Sequence, residues 1–217
     1  MTQPTEDPRA VNPFGNCPAP LTTHEHVLLG HGSGGRMSAE LIQRVFLPEL
    51  GNEVLNRLED QATLDIAGLF PEQPPGSTGP RLAFTTDAFV VKPLFFPGGD
   101  IGKLAVHGTV NDLAVGGAEP RFLSAAFILE EGLAIEQLRR IVVSMREACA
   151  EVGLQLVTGD TKVVERGKGD QVFIATSGIG VVPAGRTLSI RQARPGDRIL
   201  VSGTLGDHGI TIMSMRE

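Results

Sequence analysis

Apolar residues follow two different spacings along the chain. Leu41, Ile42, Val45 and Phe46 fall on one helical face, with Ser38 placed to cap that helix and Pro48 and Gly51 placed to end it. Ile135, Leu138, Ile141, Val142, Met145, Cys149 and Val152 form a longer helical stripe, backed by Arg139, Arg140, Arg146 and Glu147 as a solvated face. A third helical period runs over residues 101–115 through Leu104, Ala105, Gly108 and Leu113. Between the helices lie apolar runs of strand length at residues 81–91, 122–129, 154–157 and 172–182. A short strand is expected at residues 26–30 and another from 198 to 202, before a helix opened by Gly206-Asp207-His208-Gly209. Strands interleaved with helices predict an α/β fold.

Breakers divide this pattern. Residues 71–80 (PEQPPGSTGP) make a surface loop, and Arg166-Gly167-Lys168-Gly169-Asp170 and Pro195-Gly196-Asp197 make turns. Residues 1–24, polar and rich in Pro and Asn, read as a disordered tail. A new unit begins near residue 184 and stops about two turns into its helix, whose apolar face (Ile210, Ile212, Met213) has little left to pack on. The expected organisation is a tail at 1–24, one domain at 25–183 and the start of a truncated second domain at 184–217.

Composition narrows the function classes. The 217 residues are 41% hydrophobic and 20% charged, which suits a globular core. Net charge is -6 with no basic stripe, so nucleic acid is excluded as the main partner. The start of the chain lacks the basic segment and apolar run of a signal peptide, and no stretch reaches the roughly 18 apolar residues of a membrane span. Two cysteines, Cys17 in the tail and Cys149 on the helical stripe, show no zinc spacing and fit a reducing cytoplasm.

Four aspartates carry the candidate chemistry. Asp60 sits in Leu58-Glu59-Asp60-Gln61-Ala62, and Asp87 closes an apolar strand after Thr85-Thr86. Asp112 follows Asn111 in an otherwise apolar helix, and Asp160 follows Gly159 at the end of the 154–157 strand. Carboxylates in apolar settings are costly unless paired or metal-bound, and magnesium takes carboxylate and phosphate oxygens. Convergence of the four on a polyphosphate-bound magnesium competes with the plainer reading that each caps a helix or closes a turn.

Gly30, Gly32 and Gly35 match GxGxxG between a strand and a helix, which admits a dinucleotide fold. Glu53 stands where such a fold needs its acidic residue, but no apolar strand leads into it. The milder reading is a loop whose amides cover phosphates, with Arg36 adding charge. No Walker A sequence occurs. Gly159-Asp160-Thr161-Lys162 with Glu165 sets an acid, a hydroxyl, a cation and a second acid on one segment. There Lys162 either neutralises a transferring phosphate or forms a surface ion pair with Glu165. His31, His107 and His208 lack metal-ligand spacing.

Taken together, Thr85-Thr86-Asp87, Pro97-Gly98-Gly99-Asp100-Ile101-Gly102, Val110-Asn111-Asp112-Leu113-Ala114, Gly117-Ala118-Glu119-Pro120 and Gly159-Asp160-Thr161 resemble the aminoimidazole ribonucleotide synthetase (PurM-like) superfamily. Within it, the runs 31–36, 95–106 and above all 159–170 resemble the hydrogenase-maturation HypE family, and the likeness covers roughly residues 27–217. The resemblance implies a PurM-like mixed sheet flanked by helices, pairing with a twin subunit into a shared β-barrel, followed by a second α/β domain. It implies a homodimer that binds ATP and Mg2+ and works with a HypF-type carbamoyltransferase and a HypC–HypD-type complex.

The implied reaction is ATP-dependent dehydration of a protein C-terminal S-carboxamide to a thiocyanate, the source of the cyanide ligands of the nickel–iron hydrogenase centre. Carried over by motif, Asp60, Asp87, Asp112 and Asp160 hold the metal. Gly32, Gly34, Gly35, Arg36, Asn111, Asp160 and Thr161 contact the nucleotide, and Lys162 and Glu165 serve charge stabilisation and proton transfer. Two departures stand out: Gln61 replaces an alanine of the family pattern, and the family's C-terminal cysteine is absent, leaving only the ATP-binding part.

Overall fold

The computed structural model describes residues 24–32, 35–58, 79–189 and 192–216. In chain order the elements are α1 (Arg36–Leu41), α2 (Leu47–Leu50), β1 (Arg81–Phe89), β2 (Phe95–Phe96), β3 (Gly99–Asp100), α3 (Ile101–Val115), β4 (Glu119–Glu130), α4 (Ile135–Val152), β5 (Gln155–Val164), β6 (Val172–Val182) and α5 (Asp207–Ser214). Among the described residues no helix is long and apolar enough to cross a membrane.

The main sheet has four strands in the order β1-β6-β4-β5. β4 and β5 are parallel, and their connection is α4, because parallel neighbours need a long crossover. β6 runs antiparallel to both β1 and β4. The loop after β5 must therefore pass over the end of β4 to deliver β6 to its far side. Glu130, the last residue of β4, anchors that passage: its carboxylate accepts from the Gly167 and Gln171 amides. Those two donors, Gly167 first, hold the Glu130 carboxyl below its usual range.

The core lies between one face of the sheet and the helices. Leu123, Ala125, Phe127 and Leu129 alternate inward from β4 and meet Ile101, Ala105 and Val106 of α3 and Leu138, Ile141, Val142 and Met145 of α4, all buried. Asp100 caps α3, its Oδ1 accepting from Gly102 N at 2.7 Å and Lys103 N at 3.1 Å. A Cβ on Gly102 would stand 2.5 Å from Ile141 O, so glycine there permits the close approach of α3 to α4. Among the described residues nothing covers the opposite sheet face: Leu82 is 53% exposed, Phe84 71% and Ile128 42%.

The expected helices at 101–115 and 135–152 and the strand at 172–182 form as the periodicity predicts. Other expectations need correction. Residues 26–30 make a single bridge, His26 to Ala134, and then a 3-10 turn, because His31 Nδ1 takes the Leu28 amide that a ladder would use. Ser38 lies inside α1, with Gly35 at the cap, and its hydroxyl donates to Gly30 O. Pro48 does not stop the helix. A π turn at Ile42–Phe46 precedes it, Pro48 opens α2, and Arg139 Nη1 donates to Arg44 O, the carbonyl that proline has no N–H to meet.

The arginine face of α4 is also more than solvated surface. Arg146 pairs with Glu49, and Arg140 lies 4.0 Å over the Phe95 ring. Residues 198–202 form no strand, having no described neighbour to pair with, and Ile199 and Leu200 stay exposed. Of the final helix, Ile212 reaches the core while Ile210 and Met213 do not. The tail, Cys17 and the loop through residue 78 fall outside the described residues.

Candidate functional site

β1 and α3 bring two of the four aspartates, Asp87 and Asp112, to one seam. β1 alternates Thr85, Asp87 and Phe89 toward α3, and α3 carries Gly108 and Asp112 one turn apart. Thr85 Oγ1 donates to Asp112 Oδ2 at 2.9 Å. Asp87 Oδ1 accepts from Ala88 N at 2.8 Å, and its Oδ2 lies against Gly108, where a Cβ would stand 3.3 Å away. The premise that these carboxylates sit in apolar surroundings needs correction: Asp87 is half-buried and Asp112 exposed, while the next residue, Leu113, is the one that turns into the core. Asn111 beside Asp112 is exposed as well.

Asp160 lies elsewhere. It sits in the middle of β5, not at a strand end, because β5 runs on to Val164. Thr161 is in register with buried Phe127, whereas Asp160 and Lys162 align with Ala126 and Ile128 on the exposed face. In the order β1-β6-β4-β5, three strand spacings, about 14 Å, separate β5 from β1. One chain therefore joins Asp87 to Asp112 but not to Asp160. Among the described residues no three His, Cys, Asp or Glu side chains cluster to hold a metal.

Asp60 and Gly34 fall outside the described residues. Gly32 ends the 3-10 turn and Gly35 caps α1. Arg36 Nε donates to Glu40 at 2.9 Å, an i,i+4 pair on the helix surface. Glu165 is exposed one residue past β5, and its carbonyl closes the next turn with Lys168 N at 3.1 Å.

A cavity of about 400 Å³ opens between the α1–α2 segment and β5, the last strand of the described sheet. Phe46 and Phe127 form its floor, with ring centroids 5.1 Å apart, and His31, Asp160, Thr161 and Lys162 stand around it. It thus joins the glycine-rich turn to the 159–162 segment. Burial, then the neighbouring His24, lowers the His31 pKa. His107 faces Glu151 at 3.7 Å and His208 meets the Phe96 ring edge, both away from this cavity.

Thr85 and Gly108 touch the two candidate aspartates, and sequence reasoning passed over them. Their signal was present in the i,i+2 step from Thr85 to Asp87 and the i,i+4 step from Gly108 to Asp112.

The profile of "AIR synthase related protein, N-terminal domain" matches residues 59–182. The chain belongs to the AIR synthase related family. Its mixed sheet flanked by helices is that family's N-terminal fold. Among curated members, the carbamoyl dehydratase HypE of Azotobacter vinelandii is 57% identical over 187 residues, 86% of this chain and 52% of the relative.

Two solved structures extend the family likeness. Hydrogenase maturation protein HypE in complex with ATP superposes with a TM-score of 0.78 at 52% identity, covering 87% of this chain and 53% of that one. A HypE–HypF complex gives 0.61 at 53% identity, covering 81% and 53%. The chain spans about half the length of the curated relatives it matches.

Proposed function

We propose that this chain is the ATP-binding part of a carbamoyl dehydratase of hydrogenase maturation. The observation that carries the reading is the Asp87–Asp112 seam: two carboxylates from different elements, oriented toward one another's neighbours by Thr85 and the bare Gly108. Its likeness to a HypE that binds ATP names the nucleotide. The residues fit magnesium, which commonly takes one or two carboxylates and completes its shell with phosphate oxygens and water. At Gly108 α3 presents no side chain to Asp87 Oδ2. Asp60 and Asp160 complete the set.

In the dehydration, ATP phosphorylates the oxygen of the S-carboxamide, two amide protons leave, and loss of phosphate forms the C≡N bond of a thiocyanate. Magnesium, when bound, supplies positive charge against the triphosphate. Lys162 offsets charge on the transferring phosphoryl group, Thr161 and Asn111 orient it, and Glu165 takes a proton from the amide. The amides of Gly32, Gly34 and Gly35 and the guanidinium of Arg36 lie over the phosphates, which requires Arg36 to leave Glu40.

A homodimer belongs to the same reading, supported by the exposed sheet face with Leu82, Phe84 and Ile128. With the two-fold along the barrel axis, two sheets of order β1-β6-β4-β5 closing as a barrel set β1 of each chain beside β5 of the other. That arrangement brings Asp87 and Asp112 of one chain to Asp160 and Lys162 of its twin. Phe84→Glu shifts the chain from dimer to monomer in sedimentation equilibrium; a monomeric parent rejects the barrel. A HypF-type carbamoyltransferase and a HypC–HypD-type complex are the partners, in the cytoplasm, and residues from 184 onward begin the second domain.

Calorimetric titration tests the nucleotide reading. The parent binds Mg-ATP and not NAD, and the Asp87→Asn/Asp160→Asn double variant binds at least tenfold more weakly, the usual scale for lost charge-assisted contacts. Equal affinity in parent and variant removes the reading.

A further inference from the structure

The seam between β1 and α3 is a pairing of two short rows. Gly108 opposes Asp87 and Phe89, and Asp112 opposes Thr85. A Cβ on Gly108 would stand 2.7 Å from Phe89 Cζ and 2.8 Å from Phe89 Cε1, well inside van der Waals contact, and 3.3 Å from Asp87 Oδ2. A methyl there displaces the half-buried Phe89 ring first, and the Asp87 carboxylate beside it must also give by a few tenths of an ångström. Alanine is the better helix former at a mid-helix position, so the contact and not the helix selects glycine at 108. Thr85 has one hydroxyl hydrogen to give, and it goes to Asp112 Oδ2 in their 2.9 Å bond.

We propose that Gly108 and Thr85 are positioning residues for the Asp87–Asp112 pair. Gly108 keeps open the slot in which the Asp87 carboxylate lies, and Thr85 locks the rotamer of Asp112. The assignment rests on the magnesium role proposed for the two aspartates. Neither residue reaches the ligand: each acts through the carboxylate it orients, as outer-shell partners of metal ligands do.

The probe is Mn2+ with ATP, titrated into the full chain and read by the paramagnetic resonance of free Mn2+. Thr85→Val and Gly108→Ala each raise the Mn2+ Kd by roughly tenfold, the lower end of outer-shell effects, while the metal-free melting midpoint stays at the parent's. Thr85→Ser, which keeps the donor, stays within about twofold of the parent. Parent-like affinity in Thr85→Val, or equal loss in Thr85→Ser, overturns the role of Thr85. A Gly108→Ala loss accompanied by a fallen melting midpoint reduces Gly108 to packing and overturns its half. If the Asp87→Asn/Asp112→Asn variant also binds Mn2+ like the parent, or the parent binds none, the magnesium reading itself fails. If only the aspartate variant loses binding, positioning alone is rejected.

Discussion

Thr109 of α3 and Thr176 of β6 share a hydroxyl–hydroxyl hydrogen bond of 2.5 Å, with both side chains buried. Thr109 Oγ1 also lies 3.1 Å from Ala105 O. Thr109 has one hydroxyl hydrogen, and given to Ala105 O it leaves Thr176 as the donor between the threonines. Thr176 is in register with Asp87 on β1, so this bond fastens the helix to the row of the sheet that carries the candidate site.

Thr109→Val should strand the Thr176 hydroxyl without an acceptor. The expected loss is about 1–3 kcal/mol of unfolding free energy, the usual penalty for a buried donor left unmet. The Thr109→Val/Thr176→Val double variant should recover part of it, since adjacent sites are not additive. Urea denaturation measures both. A single variant as stable as the parent would mean the pair fastens nothing.

Glu130 should control the loop that crosses the end of β4. Its folded pKa is depressed by the Gly167 and Gln171 amides, so this anchoring is complete above the ordinary carboxyl value of 4.5 and lost as pH falls through the lower folded value. Glu130→Gln weakens both bonds at every pH. Hydrogen exchange at the Gly167 and Gln171 amides should then quicken in the variant, and in the parent only under acid. Unchanged exchange in Glu130→Gln would show that the turn holds itself.

How far the sequence revealed this depends on what each signal encodes. The stripe from Ile135 to Val152 fixed α4 to the residue, because a long amphipathic period leaves no alternative. The apolar run 154–157 followed by Gly159 puts Asp160 at a strand end, and only pairing with residues 125–127 of β4 carries the strand through it. Residues 198–202 failed the opposite way, with strand composition and no described partner strand. Which aspartates one chain brings together was least legible, since spacing along a chain does not record that β6 and β4 lie between β1 and β5.

Cys149 should be inert in the folded chain. It is buried on α4, and burial pushes its thiol up to about 11. Thiolate is the reactive form, so alkylation of the Cys149 peptide at pH 8 should follow unfolding, rising with urea along the same curve as the loss of helix signal. Labelling well before that transition would place the thiol outside the core.

His31 should make stability fall in mild acid. Burial, then His24, lowers its folded pKa, and its Nδ1 accepts the Leu28 amide at 2.9 Å, a bond only an unprotonated Nδ1 makes. A depressed folded value means the contribution is full above the ordinary 6.5 and lost as pH falls through the folded value. The groups facing the ring are His24, whose ring centroid lies 5.6 Å away, and Glu40, whose charge opposes the shift only weakly. Urea midpoints taken between pH 7.5 and 5 should decline more steeply for the parent than for His31→Asn, an uncharged replacement that keeps an acceptor near Leu28. Parallel profiles would place the acid sensitivity in other groups and free His31 of any part in it.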